Sequence, residues 1–185
     1  MLFSKELRQH VFHAELQERF VMEYIVHPIP PFYDDTSRIL ILGSFPSVKS
    51  RESRFFYGHP QNRFWKLMAL LFEGNADVQP VTVEEKSAFA RRHHIALWDS
   101  IHSCEIEGSS DSSIRNVQPN DLRVILDHAP IRQIYTNGRK SQEIYEKYCR
   151  SMTGRDSICL PSTSPANAAW NLQRLQEAWK VITLQ

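Results

Sequence analysis

Cysteine is scarce in this chain. The three present, Cys104, Cys149 and Cys159, are odd in number and widely separated. That excludes a disulfide framework and the close ligand pairs of a zinc or iron–sulfur site. The expectation is three reduced thiols in the cytoplasm. Glycine is also sparse, with six residues in 185, and neither a G-x-G-x-x-G turn nor a Walker lysine pattern occurs. Without a cradle for phosphates, no nucleotide cofactor is expected. His93 and His94 lack companion ligands at metal spacing, so no metal is expected either. Ser44 and Ser47 stand outside any nucleophile elbow. No apolar run approaches about 18 residues, which excludes a membrane-spanning helix. Lys5, Glu6, Arg8, Glu15, Glu18 and Arg19 interrupt the start of the chain, where a secretory signal needs an unbroken apolar stretch. An excess of one charge is missing too: 22 basic against 21 acidic residues leaves +1. A nucleic-acid partner would have to be met by a local basic patch.

What remains is an ordinary globular composition, 42% hydrophobic and 23% charged, of a length that suits one domain. Met1 to Val21, with Phe12, Leu16 and Phe20 recurring every fourth position, reads as a helical extension preceding a domain over 22–185. The prolines of His27 to Tyr33 forbid helix and strand interior and give an extended lead-in. Arg38 to Gly43 holds a continuous apolar run ended by glycine, the mark of a strand buried on both faces. Further strands are expected at Ile95 to Ile101, Ile131 to Thr136 and Ser157 to Leu160. Asn62 to Phe72 carries Phe64, Leu67, Met68 and Leu71 at helical spacing. Thr82 and Glu85 form a capping box for a helix running to about His93. Leu122, Ile125 and Leu126 mark a third helix. Gly138 opens another, with Ile144 and Tyr148 inward, and Asn167 to Leu184 forms the last. Alternating strands and helices imply an α/β fold, a central four-stranded parallel sheet flanked by helices.

Parallel sheets bind ligands beyond the carboxyl ends of their strands. The segments expected there are Gly43 to Ser47, Trp98 to Ser100, Thr136 to Gly138 and Pro161 to Asn167. Turn chemistry explains their Gly, Pro and Ser, but not the convergence of Trp, Asp and Asn on one edge. Between Gly43 and Trp65, Lys49, Arg51, Arg54 and Arg63 interleave with Phe55, Phe56 and Tyr57. Cations for phosphates and flat rings for an unstacked base suit nucleic acid.

Together these residues resemble a known family. Gly43-Ser44-Phe45-Pro46-Ser47, followed by Tyr57-Gly58-His59-Pro60-Gln61-Asn62-Arg63-Phe64-Trp65, is similar to the first motif region of the uracil-DNA glycosylase superfamily, and within it to the deoxyinosine (hypoxanthine) DNA glycosylases. Leu160 to Asn167 resembles the second motif, and Ala96 to Asp99 and Thr136 to Gly138 the middle strands. The resemblance runs from about Met22 to the C-terminus. It implies a four-stranded parallel α/β fold, removal of a deaminated base from DNA by hydrolysis of its N-glycosidic bond, and neither metal nor cofactor. Phe45 stands where mismatch-type members carry a catalytic Asn, and Leu160 where classical uracil glycosylases carry His. In the deoxyinosine family the Asn of the His-Pro-x-Asn-x-Phe-Trp segment, here Asn62, is the catalytic candidate.

The chemistry assigns expectations to the rest. Hypoxanthine offers an N1–H donor and an O6 acceptor, which one side-chain amide can meet at once. Asn137 is the candidate, catalytic together with Asn62. Asp99, if ionised, accepts only and favours hypoxanthine over adenine. Phe45, Tyr57 and Trp98 are the expected base-binding rings. Ser47, Lys49, Arg51, Arg63, Ser162, Ser164 and Asn167 are the expected DNA contacts. No lysine lies in the motifs, so a Schiff-base lyase step is not expected and the enzyme reads as monofunctional. The partner is DNA containing a deaminated base, with no membrane and a monomeric chain. A reading from a different class is a non-catalytic α/β module that binds nucleic acid or a nucleotide.

Overall fold

The computed structural model describes residues 22–184. The helix read over Met1 to Val21 lies outside the described residues. Four strands form the parallel sheet: β2 (Ile39–Gly43), β3 (Ile95–Asp99), β6 (Gln133–Asn137) and β7 (Ser157–Leu160), in the order β3-β2-β6-β7. Each is joined to the next in chain order by a crossover containing helix, as parallel pairing requires. β2 is central and wholly buried, which its unbroken Ile-Leu-Ile-Leu run demands.

The crossover helices are α1 (Val48–Ser53), α2 (Phe64–Glu73), α3 (Val83–Arg92), α4 (Arg123–Leu126), α5 (Arg139–Ile144), α6 (Arg150–Thr153) and α7 (Leu172–Trp179). The Thr82–Glu85 capping box is formed. α2 buries Phe64, Trp65, Leu67 and Met68 in the main core with β2, β3 and Trp179 of α7. A π-helical turn over Tyr145–Cys149 separates α5 from α6. It buries Ile144, Tyr145 and Cys149 and leaves Tyr148 only half-buried.

Two local expectations change. The strand read as Ile95 to Ile101 divides at Ser100, whose N–H donates to the Gly43 carbonyl. Asn120 holds the break by donating its amide to the carbonyls of Asp99 and Ile101. Beyond it, β4 (Ile101–Ile106) enters a second, antiparallel sheet with β1 (Glu23–Val26) and β5 (Arg115–Pro119), in the order β1-β4-β5. The segment ahead of the prolines is therefore a strand. The last helix begins at Leu172, capped by Asn171, because residues 161–170 are held as a loop by the groups described below.

Candidate active site

The carboxyl ends of β2, β3, β6 and β7 surround a cavity of about 120 Å³, which Gly43, Asp99, Asn137 and Ser162 all line. Against the roughly 300–1,000 Å³ of drug-sized sites this is small, fit for a single flat ring system.

Asp99 supplies its floor. Only 5% of the residue is exposed. His27 Nε2 lies 2.8 Å from Asp99 Oδ2. The Ile29 N–H donates to His27 Nδ1 at 3.2 Å. A ring nitrogen that accepts an N–H carries no proton, so the proton is on Nε2 and His27 is the neutral tautomer donating to Asp99. The other oxygen, Asp99 Oδ1, lies over Gly43, so close that a Cβ there would stand 2.1 Å from it. No described residue donates to Oδ1, and it is not among the fully enclosed unpartnered atoms. It is an acceptor turned into the cavity.

Rings close two walls. Tyr57 stacks on Phe64 with centroids 3.8 Å apart and planes 18° from parallel. Its φ of +55° is costly for a bulky residue, about 1–3 kcal/mol, and persists because that stacking over-determines it. Its hydroxyl is enclosed without an aligned hydrogen-bond partner. Burial and then the Asp99 carboxylate push the phenol above its usual range, and the nearby Asn137 amide opposes them. Phe45 lines the cavity from a second apolar cluster with Ile101, Ile106 and Ile114. Trp98 does not line it. Neighbouring side chains of a strand face opposite ways, so as Asp99 faces the cavity Trp98 packs into the main core.

Asn62 and Asn137 meet through Thr163. The Thr163 N–H donates to Asn137 Oδ1, and Asn137 Nδ2 donates to Thr163 Oγ1, both at 2.9 Å. Thr163 Oγ1 donates to Asn62 Oδ1, which also accepts the Phe64 N–H at 3.0 Å. Backbone N–H groups can only donate, so the orientation of both amides follows without ambiguity. The paired edge of Asn137 that was to read the base is engaged with Thr163. Asn62 is half a helix cap, yet its Nδ2 bonds to no described residue, and the residue is part of the cavity lining.

Three groups of the site were missed in the sequence, His27, Asp111 and Thr163. Ser44 Oγ donates to Asp111 Oδ1 at 2.8 Å. Asp111 is exposed as a residue and lines the cavity with its carboxyl against Ser44. Burial raises its pKa, the Ser44 hydrogen bond lowers it, Asp99 adds to the rise and Lys140 opposes it. Among the described residues no group of three or more His, Cys, Asp or Glu is placed to hold a metal ion.

The expected DNA contacts are mostly committed elsewhere. Ser47 caps α1 by accepting the Ser50 N–H, while still lining the cavity. Lys49 is exposed and pairs with Glu52 at 2.7 Å. Arg51 donates to the carbonyls of Pro46 and Gly108. Ser162 and Ser164 close local turns at the cavity edge, and Asn167 donates to the Ser162 carbonyl. Arg63 uses four of its five N–H groups on the carbonyls of Thr163, Ser164, Asn167 and Trp170. Burial lowers its pKa. Arg63→Met is expected to cost about 3 kcal/mol of stability by orphaning those carbonyls. It should leave the salt dependence of binding to undamaged duplex unchanged. Thermal unfolding and a salt titration check both; a lower salt slope with intact stability would make Arg63 a phosphate contact.

The model for the uracil DNA glycosylase superfamily matches residues 30–183. A hypoxanthine DNA glycosylase of Methanosarcina barkeri is 34% identical over 151 residues, 81% of this chain and 92% of the relative. One of Methanosarcina acetivorans is 36% identical over 154 residues, 83% of this chain and 94% of the relative. The solution NMR structure of a candidate uracil DNA glycosylase from Methanosarcina acetivorans superposes with a TM-score of 0.70 at 34% identity, covering 84% of this chain and 95% of that one. With the four motif segments gathered at one sheet edge, this chain belongs to the uracil DNA glycosylase superfamily.

Proposed function

We propose that the chain is a monofunctional DNA glycosylase that hydrolyses the N-glycosidic bond of deoxyinosine in DNA. Its domain spans 22–185, with 1–21 as an extension, and it works as a monomer in the cytoplasm. The observation that carries the reading is the orientation of Asp99: one carboxyl oxygen is held by the His27 donor and the other is an acceptor open to the cavity. A hypoxanthine turned out of the duplex presents N1–H to that oxygen, whereas adenine presents a lone pair there and is repelled. Flipping costs a few kcal/mol, less at a mispaired inosine. The base is held against Tyr57 and Phe45. Breaking the bond builds positive charge on the sugar and negative charge on the purine. Asn62 Nδ2 donates to the attacking water and orients it. Asn137 acts through Thr163, fixing the loop that carries Ser162 and Ser164 toward the strand.

Duplex carrying a single inosine, incubated with the protein and then treated with alkali, tests this. Strand breaks at the inosine only after alkali are the expected result. Breaks without alkali would show a lyase step. Intact strands under single-turnover conditions, with binding retained, would make the chain a binding module.

A further inference from the structure

We propose that His27 is a specificity-determining residue: by donating from Nε2 to Asp99 Oδ2 it aims the other carboxyl oxygen into the cavity, so that the cavity selects a purine with a donor at N1 over one with an acceptor there. The inference rests on the glycosylase reading and goes beyond it, because His27 does not line the cavity and acts only through Asp99.

Asp99 is almost removed from water, and a buried carboxyl is held in one orientation only by the donors it meets. Of the groups facing it, the Tyr57 phenol donates nothing to it and Asp111 is another acid. Asn120 bonds only to its backbone carbonyl. His27 is the one side chain among the described residues that donates to the carboxylate. Its side chain is 2% exposed, and its ring is fixed by Phe45 and Trp98, both edge-on, at 5.7 and 6.5 Å. The Ile29 N–H fixes the tautomer. The Pro28 and Pro30 that flank Ile29 set that backbone before folding.

Without that donor, nothing among the described residues holds the Asp99 carboxyl in place, and Oδ1 is no longer aimed at the base. In His27→Leu the ratio of hypoxanthine to adenine excision should fall by about tenfold or more. His27→Gln keeps an N–H donor and should restore the ratio at a reduced rate.

The measurement is single-turnover excision from matched duplexes carrying inosine or a mismatched adenine. Ring ¹⁵N shifts of wild-type His27 provide a second readout that no unstable variant can obscure, and a neutral ring protonated at Nε2 is expected. An unchanged ratio in His27→Leu, or a ratio that His27→Gln does not restore, would make His27 a packing residue and overturn the inference. So would an Nδ1–H tautomer in wild type. A wild type inert toward inosine would instead sink the glycosylase reading, and this inference with it.

Discussion

Gly43→Ala should abolish excision at least a hundredfold while the protein stays folded. The added Cβ would stand 2.1 Å from Asp99 Oδ1 and 3.3 Å from its Cγ, where ordinary contacts begin near 3.4 Å. The backbone has little room to yield. Gly43 is paired with Asp99 across β2 and β3, and its carbonyl accepts the Ser100 N–H at 2.9 Å. The side chain of Asp99 must move instead, giving up its hydrogen bond to His27. A charge-assisted bond of this kind is worth about 1.5–3 kcal/mol, or ten- to a hundredfold in rate. The displaced oxygen also misses the base, and an error of about 1 Å at a reacting site costs about a hundredfold. Overpacking should lower stability by about 1–3 kcal/mol. A double-mutant cycle gives the decisive comparison. If the methyl group acts through Asp99 alone, Gly43→Ala adds nothing to the loss in Asp99→Ala. Excision by Gly43→Ala within about threefold of wild type would remove Asp99 from the reading of the base.

The parallel sheet was legible because burial on both faces leaves a mark in composition: Ile39 to Leu42 and Ile95 to Leu97 are unbroken apolar runs. The second sheet leaves no such mark. β1 is largely exposed and β5 reads Arg-Asn-Val-Gln-Pro, so neither alternates cleanly. α1 has six residues and buries only Ser50, too short a helix for a periodic stripe. It lies within the basic and aromatic stretch between Gly43 and Trp65.

At the site, residues that lie on strand ends were found, and those that reach it from afar were not. Asp99 and Asn137 follow directly from strand termini. His27 sits 72 positions from Asp99, among prolines that speak only of extended chain. Asp111 stands in a Gly-Ser-Ser-Asp-Ser-Ser stretch that any turn explains. Among the basic residues, Arg63 was misjudged for a different reason. Charge in a sequence does not say whether a cation faces solvent, and Arg63 turns out to grip four backbone carbonyls. Thr163, a buried hydroxyl, looked like one more turn former, yet it joins Asn62 to Asn137.

Asn62→Asp should separate the two roles that Asn62 holds. The substitution keeps Oδ1, and with it the acceptor for the Phe64 N–H and the Thr163 hydroxyl. A carboxylate at the start of α2 also meets the positive end of the helix dipole. Stability should therefore match or exceed wild type, whereas Asn62→Ala should lose about 1 kcal/mol with the cap. The cavity side changes completely, since an oxygen replaces the Nδ2 donor. If that donor holds the attacking water, single-turnover excision should fall about a hundredfold with DNA binding little altered, a loss of nearly 3 kcal/mol in the transition state alone. Melting temperature, duplex affinity and single-turnover rate on the same two variants decide it. A rate for Asn62→Asp within about threefold of wild type, or above it, would mean that the cavity does not need the amide donor. Asn62 would then be a cap, and the water would fall to Ser44 and Asp111 on the opposite wall.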